Sequence, residues 1–398
     1  MSIHIMKEKI AQIPVILKEK NIDLWLTFVR ESDTIKDPAM DIFIDRGVTW
    51  QSAFIFAKNG EKIVIVGSLD ADNIKDSGLF EDIRTYVASI KDTLKQTICE
   101  LNPETIAINR SSNDVMSDGL TCGMFEILSD TLKGTGFEDK FVSSEPIISA
   151  LRGRKTKNET EKIKKAVEIT EEIFDMVTKN IKPGMTEKEV AEMILNYVKK
   201  RGLTTAWDSQ HCPGVFATVE AAAAHASPSD RKITKGSVMH IDFGVKYEGY
   251  CSDLQRTWYF LADNETQAPL EVKKAFETVR DSIKAAFDAI KPGIEGRFID
   301  KISRDYIIEQ GYEEYPHALG HQVGKSTHDG AGLLCPEWER YGNLPYLKIE
   351  EGQIYTLEPR INLNNYGAIT MEEIIKVGKD GAEFLSNPQT ELILIDSA

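Results

Sequence analysis

Four carboxylates sit where carboxylates are costly. Asp242 and Asp253 lie eleven residues apart in VMHIDFGVKYEGYCSDLQRTWYF (238–260), and Glu358 and Glu372 lie fourteen apart in QIYTLEPRINLNNYGAITMEEIIKV (353–377). Both stretches alternate apolar and polar residues about a turn-like centre, Glu248-Gly249 in the first and Asn364-Asn365 in the second, and read as antiparallel hairpins. Strands deplete Asp, and a buried carboxylate must be paired or neutralised. Cross-strand pairing can bring the two acids of one hairpin onto one face. Any single one of them reads as a solvated or salt-bridged strand residue, but the paired placement in two hairpins points to a shared cation. Two divalent ions would set four positive charges against four negative. Oxygen-rich ligation favours a hard or borderline metal such as Mn²⁺ over structural Zn²⁺.

The histidines are concentrated as well. PHALGHQVGKSTHD (316–329) holds His317, His321 and His328, three of only seven in the chain. The segment alone leaves open whether they are metal ligands, catalytic groups or surface residues. His317 and His321 stand at i, i+4 as in the helical HExxH zinc motif. No Glu follows the first of them, however, and Gly320 and Gly324 weaken a helix, so a strand or loop is expected.

Each hairpin follows one copy of a duplicated unit. Residues 166–202 lie without a gap on residues 275–311: Ala166 meets Ala275, Glu168 meets Glu277, Ile-Lys-Pro-Gly at 181 meets the same four residues at 290, Tyr197 meets Tyr306 and Gly202 meets Gly311. The offset is 109 throughout, and the acids follow it with a small insertion, 116 from Asp242 to Glu358 and 119 from Asp253 to Glu372. A duplicated helix-turn-helix predicts two halves about a pseudo-twofold axis, with a site that draws ligands from both.

Upstream, Lys7 to Lys20 reads as an amphipathic helix disturbed by Pro14, and DLWLTF (23–28), SAFIFA (52–57), KIVIVG (62–67) and TIAIN (105–109) read as strands. Such alternation predicts an α/β layer domain. The charged stretch LRGRKTKNETEKIKKA (151–166) opens a long helical pattern, read as a helix joining two domains, with the boundary near residue 150.

With 398 residues, 41% of them hydrophobic and 28% charged, the chain has the composition of a globular protein of two domains. A formal charge of -15 argues against nucleic-acid and anionic-membrane partners, which require basic surface. The charged N-terminal segment is not expected to act as a signal peptide, and no apolar run approaches the roughly 18 residues of a membrane span. Five scattered cysteines without a CxxC pair fit structural thiols in a reducing cytoplasm.

Taken together, these residues resemble the pita-bread (M24) metallopeptidases, which include methionine aminopeptidase, aminopeptidase P and prolidase. The match runs from residue 151 to 398. Residues 1–150 look like the N-terminal domain of the creatinase, prolidase and aminopeptidase P branch. The resemblance implies an α/β N-terminal domain (1–150) and an α+β pita-bread catalytic domain (151–398) with an internal pseudo-twofold repeat. It implies one metal on Asp242, Asp253 and Glu372 and a second on Asp253, His321, Glu358 and Glu372, with a bridging water or hydroxide as nucleophile and Glu358 as its base. His225, in AAAAHASPSDRKI, matches a family histidine that contacts substrate. His317 and His328 match positions that line the site and present imidazoles to the substrate carbonyl and the oxyanion. The implied cofactor is two divalent ions, manganese first, with cobalt, zinc or iron as alternatives. The implied partners are a small peptide, cut at an Xaa-Pro bond in dipeptides or short peptides, and a second subunit in a homodimer.

Two departures bear on substrate. The prolidase and aminopeptidase P branch commonly has Arg two positions before the final Glu and Gly after the EP step, where this chain has Thr370 and Arg360. Arg360 is a candidate to restore a cation near the pocket, against the alternative of a solvent-facing strand arginine. LLCPEWERYGNLPYL (333–347) reads as a lip or a packed loop, with Trp338 and Tyr341 its first candidates and Trp207 and His211 weaker ones. Two rival functions stay in view: a creatinase-like hydrolase of a small non-peptide C–N bond, and a non-catalytic pita-bread binding module.

Overall fold

The apolar runs at 23–28, 52–57 and 62–67 are strands buried on both faces, which is why they read as unbroken hydrophobic stretches. The structure, a computed structural model, describes residues 2–217 and 227–396. It divides into two units, Met1–Arg152 and Gly153–Ala398.

The first unit runs α1 (Ile3–Glu19), β1 (Leu24–Val29), α2 (Met40–Phe43), β2 (Ser52–Ala57), β3 (Lys62–Gly67), α3 (Ala71–Lys75), β4 (Asp82–Tyr86), α4 (Lys91–Leu101), β5 (Ile106–Ile108), α5 (Cys122–Leu132), β6 (Phe141–Ser143) and α6 (Glu145–Gly153). Its six-stranded sheet has the order β4-β3-β2-β1-β5-β6. Successive strand residues feed opposite faces. Trp25, Phe54, Phe56 and Val64 pack with Ile13, Ile16 and Leu17 of α1 and Ile147 and Leu151 of α6. Leu24, Leu26, Ile55 and Ile63 pack with Leu94 and Ile98 of α4 and Leu128 and Leu132 of α5. Helix α1 continues through Pro14, contrary to the sequence expectation. The proline removes one helical donor, but the buried Ile13, Ile16 and Leu17 pin the helix on either side of it.

The second unit opens with α7 (Lys157–Asn180) and α8 (Glu187–Lys200), followed by β7 (Thr204–Thr205), β8 (Gly214–Phe216), β9 (Ser237–Phe243), β10 (Val245–Tyr247), β11 (Tyr250–Cys251) and β12 (Leu254–Phe260). Then come α9 (Leu270–Ala289), α10 (Gly296–Glu309), β13 (Gly320–His321), β14 (Leu333–Leu334), β15 (Ile354–Leu357), β16 (Arg360–Leu363), β17 (Gly367–Thr370), β18 (Glu373–Val377), β19 (Ala382–Phe384) and β20 (Ile393–Ile395). The charged stretch 151–166 is not one helix. Its first residues end α6, and Thr156 starts α7 through a reciprocal capping box with Glu159.

The duplication is visible in backbone hydrogen bonds. Gly184 N donates to Ile233 O at 2.9 Å and Gly293 N to Ile349 O at 2.8 Å. Ile233 N returns to Met185 O and Ile349 N to Ile294 O, both at 2.8 Å. The first partners stand 109 apart and the second 116, the offsets of the helices and of Asp242 with Glu358. Gly184 and Gly293 take φ of 91° and 92°, a left-handed turn that favours glycine and explains why Lys-Pro-Gly recurs. No helix among the described residues is long and apolar enough to cross a membrane.

Candidate metal centre

The two hairpins are built as expected but not as continuous ladders. In the first, β9 pairs with β12 and sets Asp242 opposite Gln255, while β10 and β11 turn at Glu248-Gly249 and join β7 in a separate sheet. The ladder breaks at Gly244, where a Cβ would collide with the carbonyl oxygen of Ser252. Asp253 therefore lies just outside β12. In the second, β15 pairs with β18, and β16 pairs with β17 in another sheet. Pro359, which cannot donate to a ladder, marks that break. Glu358 follows β15 and Glu372 precedes β18, so three of the four acids lie beside strand ends where the ladder lets a side chain turn inward.

Gln255, which sequence reasoning did not single out, joins the hairpins. Its backbone pairs with Asp242 on one side and bridges Glu372 on the other, accepting Glu372 N at 3.1 Å. Its side-chain Nε2 donates to Glu358 Oε2 at 3.3 Å, and its Oε1 accepts from Thr370 Oγ1 at 2.8 Å. No residue-type signal in the sequence marks a strand glutamine for this duty.

His321 arrives on β13. Gly320 passes so close to the backbone of Thr356 that any Cβ would strike its carbonyl oxygen, and His321 N donates to Thr356 Oγ1 at 3.1 Å. The strand, not a zinc helix, is what the glycines predicted. His321 Nε2 stands 3.4 Å from Glu358 Oε1, 3.7 Å from Asp253 Oδ2 and 3.9 Å from Glu372 Oε1. One donor atom from each of Asp253, His321 and Glu372 lies within 4.8 Å of the others. Asp242 shares a hydrogen bond with Asp253 and completes the cluster.

Burial, and then the charges of neighbouring carboxylates, Asp242 and Glu358 for Asp253 and Asp253 and Glu358 for Glu372, hold both well above the ordinary carboxylate range. Burial and the charge of Asp242 do the same to Glu358. Asp242 is pushed up to about 7 by burial, tempered by its bond to Asp253. His321 is driven down to about 3, chiefly by burial and next by the neighbouring His328. Its Nδ1 faces Gln322 O at 3.4 Å and, since a carbonyl can only accept, carries the ring proton. The Nε2 lone pair is left facing three carboxylate oxygens. Asp242 Oδ1 and both oxygens of Glu372 have no hydrogen-bond partner among the described residues. Acceptors gathered around acceptors, with buried oxygens unsatisfied, fit divalent cations and fit little else.

The flanking candidates take different positions. His317 is half-buried, its Nδ1 bonded to Ala318 O at 2.8 Å and its pKa lowered to about 4, mainly by burial. Since that carbonyl can only accept, Nδ1 carries the ring proton and Nε2 of the neutral ring is an acceptor. His328 is exposed, with its ring edge-on to His321 at 4.3 Å. His225 lies outside the described residues. Arg360 is only 7% exposed, so the solvent-facing alternative does not hold. Its charge reaches both His317 and His240, and His240 is a buried imidazole stacked on Phe216 at 4.6 Å. Trp338 and Tyr341 stack on each other at 5.9 Å beneath Arg340. Trp207 Nε1 donates to His211 O at 3.1 Å, a local bond within the loop that precedes β8.

Comparison with known proteins agrees with this geometry. Residues 161–379 match metallopeptidase family M24. An uncharacterized peptidase of Staphylococcus aureus is 29% identical over 337 residues, which is 84% of this chain and 87% of that protein. Among solved structures, an Xaa-Pro dipeptidase from Bacillus anthracis superposes with a TM-score of 0.73 at 24% identity, covering 98% of this chain and 100% of that one. An X-Pro aminopeptidase from Thermotoga maritima gives a TM-score of 0.68 at 25% identity, with 97% and 99% covered.

Proposed function

The chain belongs to metallopeptidase family M24, and we propose that within it the protein is a two-metal peptidase cleaving the Xaa-Pro bond of dipeptides or short peptides. The observation that carries this reading is the convergence of Asp242, Asp253, His321, Glu358 and Glu372 with buried oxygens left unsatisfied. The substrate class is supported by the solved proteins of similar fold that are named Xaa-Pro dipeptidase and X-Pro aminopeptidase.

Bound by these five residues, a pair of divalent cations supplies Lewis acidity toward a peptide carbonyl and lowers the pKa of water. Glu358 is the base. It is held by Gln255 and Thr356, and its side chain keeps 19% of its surface open, so it can receive a proton from water and pass it to the leaving amine. His317, neutral with Nε2 as acceptor, takes a hydrogen bond from a substrate N–H. Arg360 contributes positive charge at the edge of the same face.

The test is hydrolysis of Xaa-Pro dipeptides, longer Xaa-Pro peptides and non-proline dipeptides by protein loaded with Mn²⁺, then with Co²⁺, Zn²⁺ or Fe²⁺. Cleavage of Xaa-Pro substrates that disappears in Asp253→Ala is expected. Full activity in chelator-stripped protein, or cleavage confined to non-proline substrates, would overturn the reading.

A further inference from the structure

One buried side chain outside the metal-facing set commits all its hydrogens beside His317. Arg304 on α10 is 6% exposed. Its Nε and Nη2 grip both oxygens of Asp300 at 2.8 Å each. Nη2 also donates to His317 O at 2.7 Å, and Nη1 to Tyr315 O at 2.6 Å and, more weakly, to Glu314 Oε2 at 3.5 Å. These five contacts equal the five N–H donors of a guanidinium. The planar group also lies over the rings of Tyr315, at 4.1 Å, and Trp338, at 5.1 Å. Asp300, 1% exposed, extends the connection: its Oδ1 accepts Leu319 N at 3.0 Å, and Leu319 O accepts Glu358 N at 2.7 Å.

We propose that Arg304, braced by Asp300, is a positioning residue of the catalytic centre: its guanidinium sets the backbone register of His317, while Asp300 itself holds Leu319, the acceptor of Glu358 N. The inference rests on the peptidase reading above for its kinetic consequence. The duplication argues against a merely structural staple. The positions of the first copy that correspond to Asp300 and Arg304 at the offset of 109 are Ala191 and Leu195. The same helix-turn-helix therefore folds in α7 and α8 with no Asp–Arg pair at these two positions. Such a pair is in any case a weak source of stability once its desolvation is counted. It occurs in the half whose helix is followed by the histidine segment, and the donors left over from Asp300 bond carbonyls of that segment.

Arg304→Lys keeps the charge beside Asp300 but has three donors on one atom, which cannot span both carbonyls. In the Mn²⁺-loaded protein, Arg304→Lys is expected to lower kcat on an Xaa-Pro dipeptide about 10- to 100-fold, as supports of metal sites typically do, with KM little changed. The double variant Arg304→Lys/His317→Ala is expected to be no slower than His317→Ala alone. A second arm needs no turnover: in ¹⁵N-histidine-labelled protein, the His317 imidazole signals, assigned by their loss in His317→Gln, move in Arg304→Lys while those of His4 and His211 stay. Additive losses in the double variant, or unmoved His317 signals, overturn the positioning role. Moved signals in a protein that cleaves no Xaa-Pro substrate leave that role standing and remove the peptidase reading instead.

Discussion

Arg360 and Thr370 stand directly opposite each other on β16 and β17, two residues beyond Glu358 and two before Glu372. At both positions the chain departs from the pattern common in the prolidase and aminopeptidase P proteins it resembles. The pairing turns two separate departures into one: a cation absent from one strand is present on the facing strand.

Arg360→Ala is therefore expected to raise KM for an Xaa-Pro dipeptide about 10-fold or more, the order set by losing a charged hydrogen bond to the substrate carboxylate. Longer peptides, whose carboxylate lies farther from the scissile bond, should be affected less. The exchange Arg360→Thr/Thr370→Arg should recover most of the loss, and Michaelis constants for the three proteins decide it.

Glu372→Gln should separate metal binding from folding. Both oxygens of Glu372 are buried among other acceptors, so the neutral amide relieves repulsion in the metal-free protein and removes a donor from the loaded one. The metal-free melting temperature is expected to rise or stay level. The stabilisation by Mn²⁺, about 2.7 kcal/mol at a hundredfold excess over Kd for a single site, should shrink. Scanning calorimetry with and without chelator reads both effects.

Cation binding is expected to expel protons. Asp242 lies at about 7, and Asp253, Glu358 and Glu372 lie well above the ordinary carboxylate range, so part of the cluster is protonated at neutral pH before a cation enters. Affinity should rise with pH and the number of protons released should fall. Titration calorimetry in buffers of different ionisation enthalpy counts them.

Gly244→Ala should be among the most damaging single-methyl changes, costing about 3 kcal/mol or more, because the added carbon meets the carbonyl of Ser252, the residue that precedes Asp253. Gly249→Ala, at a turn with open space around it, carries only the cost of its positive φ. Urea denaturation of the two variants compares them.

In the first unit, Asp37 should give a pH signature unrelated to metal. Its carboxylate accepts Ala39 N and Asn109 Nδ2, yet burial pushes it up to about 6 from an ordinary 3.8. The folded state thus holds this proton more tightly than the unfolded state. The contribution is fully present below about pH 4 and is lost as pH rises through about 6, at most about 3 kcal/mol. Asp37→Asn should flatten that segment of the stability profile, as followed by urea unfolding between pH 4 and 7.

Much of this architecture was legible in the chain because it repeats. Lys-Pro-Gly recurs where the backbone needs a left-handed glycine, and the four acids keep the spacing of the repeats they follow. β4, with the sequence DIRTY, was not legible: it is an edge strand with exposed polar residues and lacks the apolar run that marked its neighbours. Pro14 misled for the opposite reason, since tertiary burial outweighed a local penalty. Asp300 and Arg304 escaped notice because they act on backbone atoms of the following segment, and Gln255 because its backbone, as much as its side chain, joins the hairpins. Amide and carbonyl groups look alike at every position of a sequence.

The paired hydrogen bonds of Gly184 and Gly293 describe a frame that is symmetric, but what fills it is not. At the two offsets of the repeat, 109 and 116, the positions that correspond to His321 are Cys212 and Thr205. The donor cluster is all oxygen at the Asp242 end and includes nitrogen at the other. A duplicated frame thus carries a donor set that is not duplicated, in which hard carboxylate oxygens and one borderline imidazole nitrogen share a single cluster.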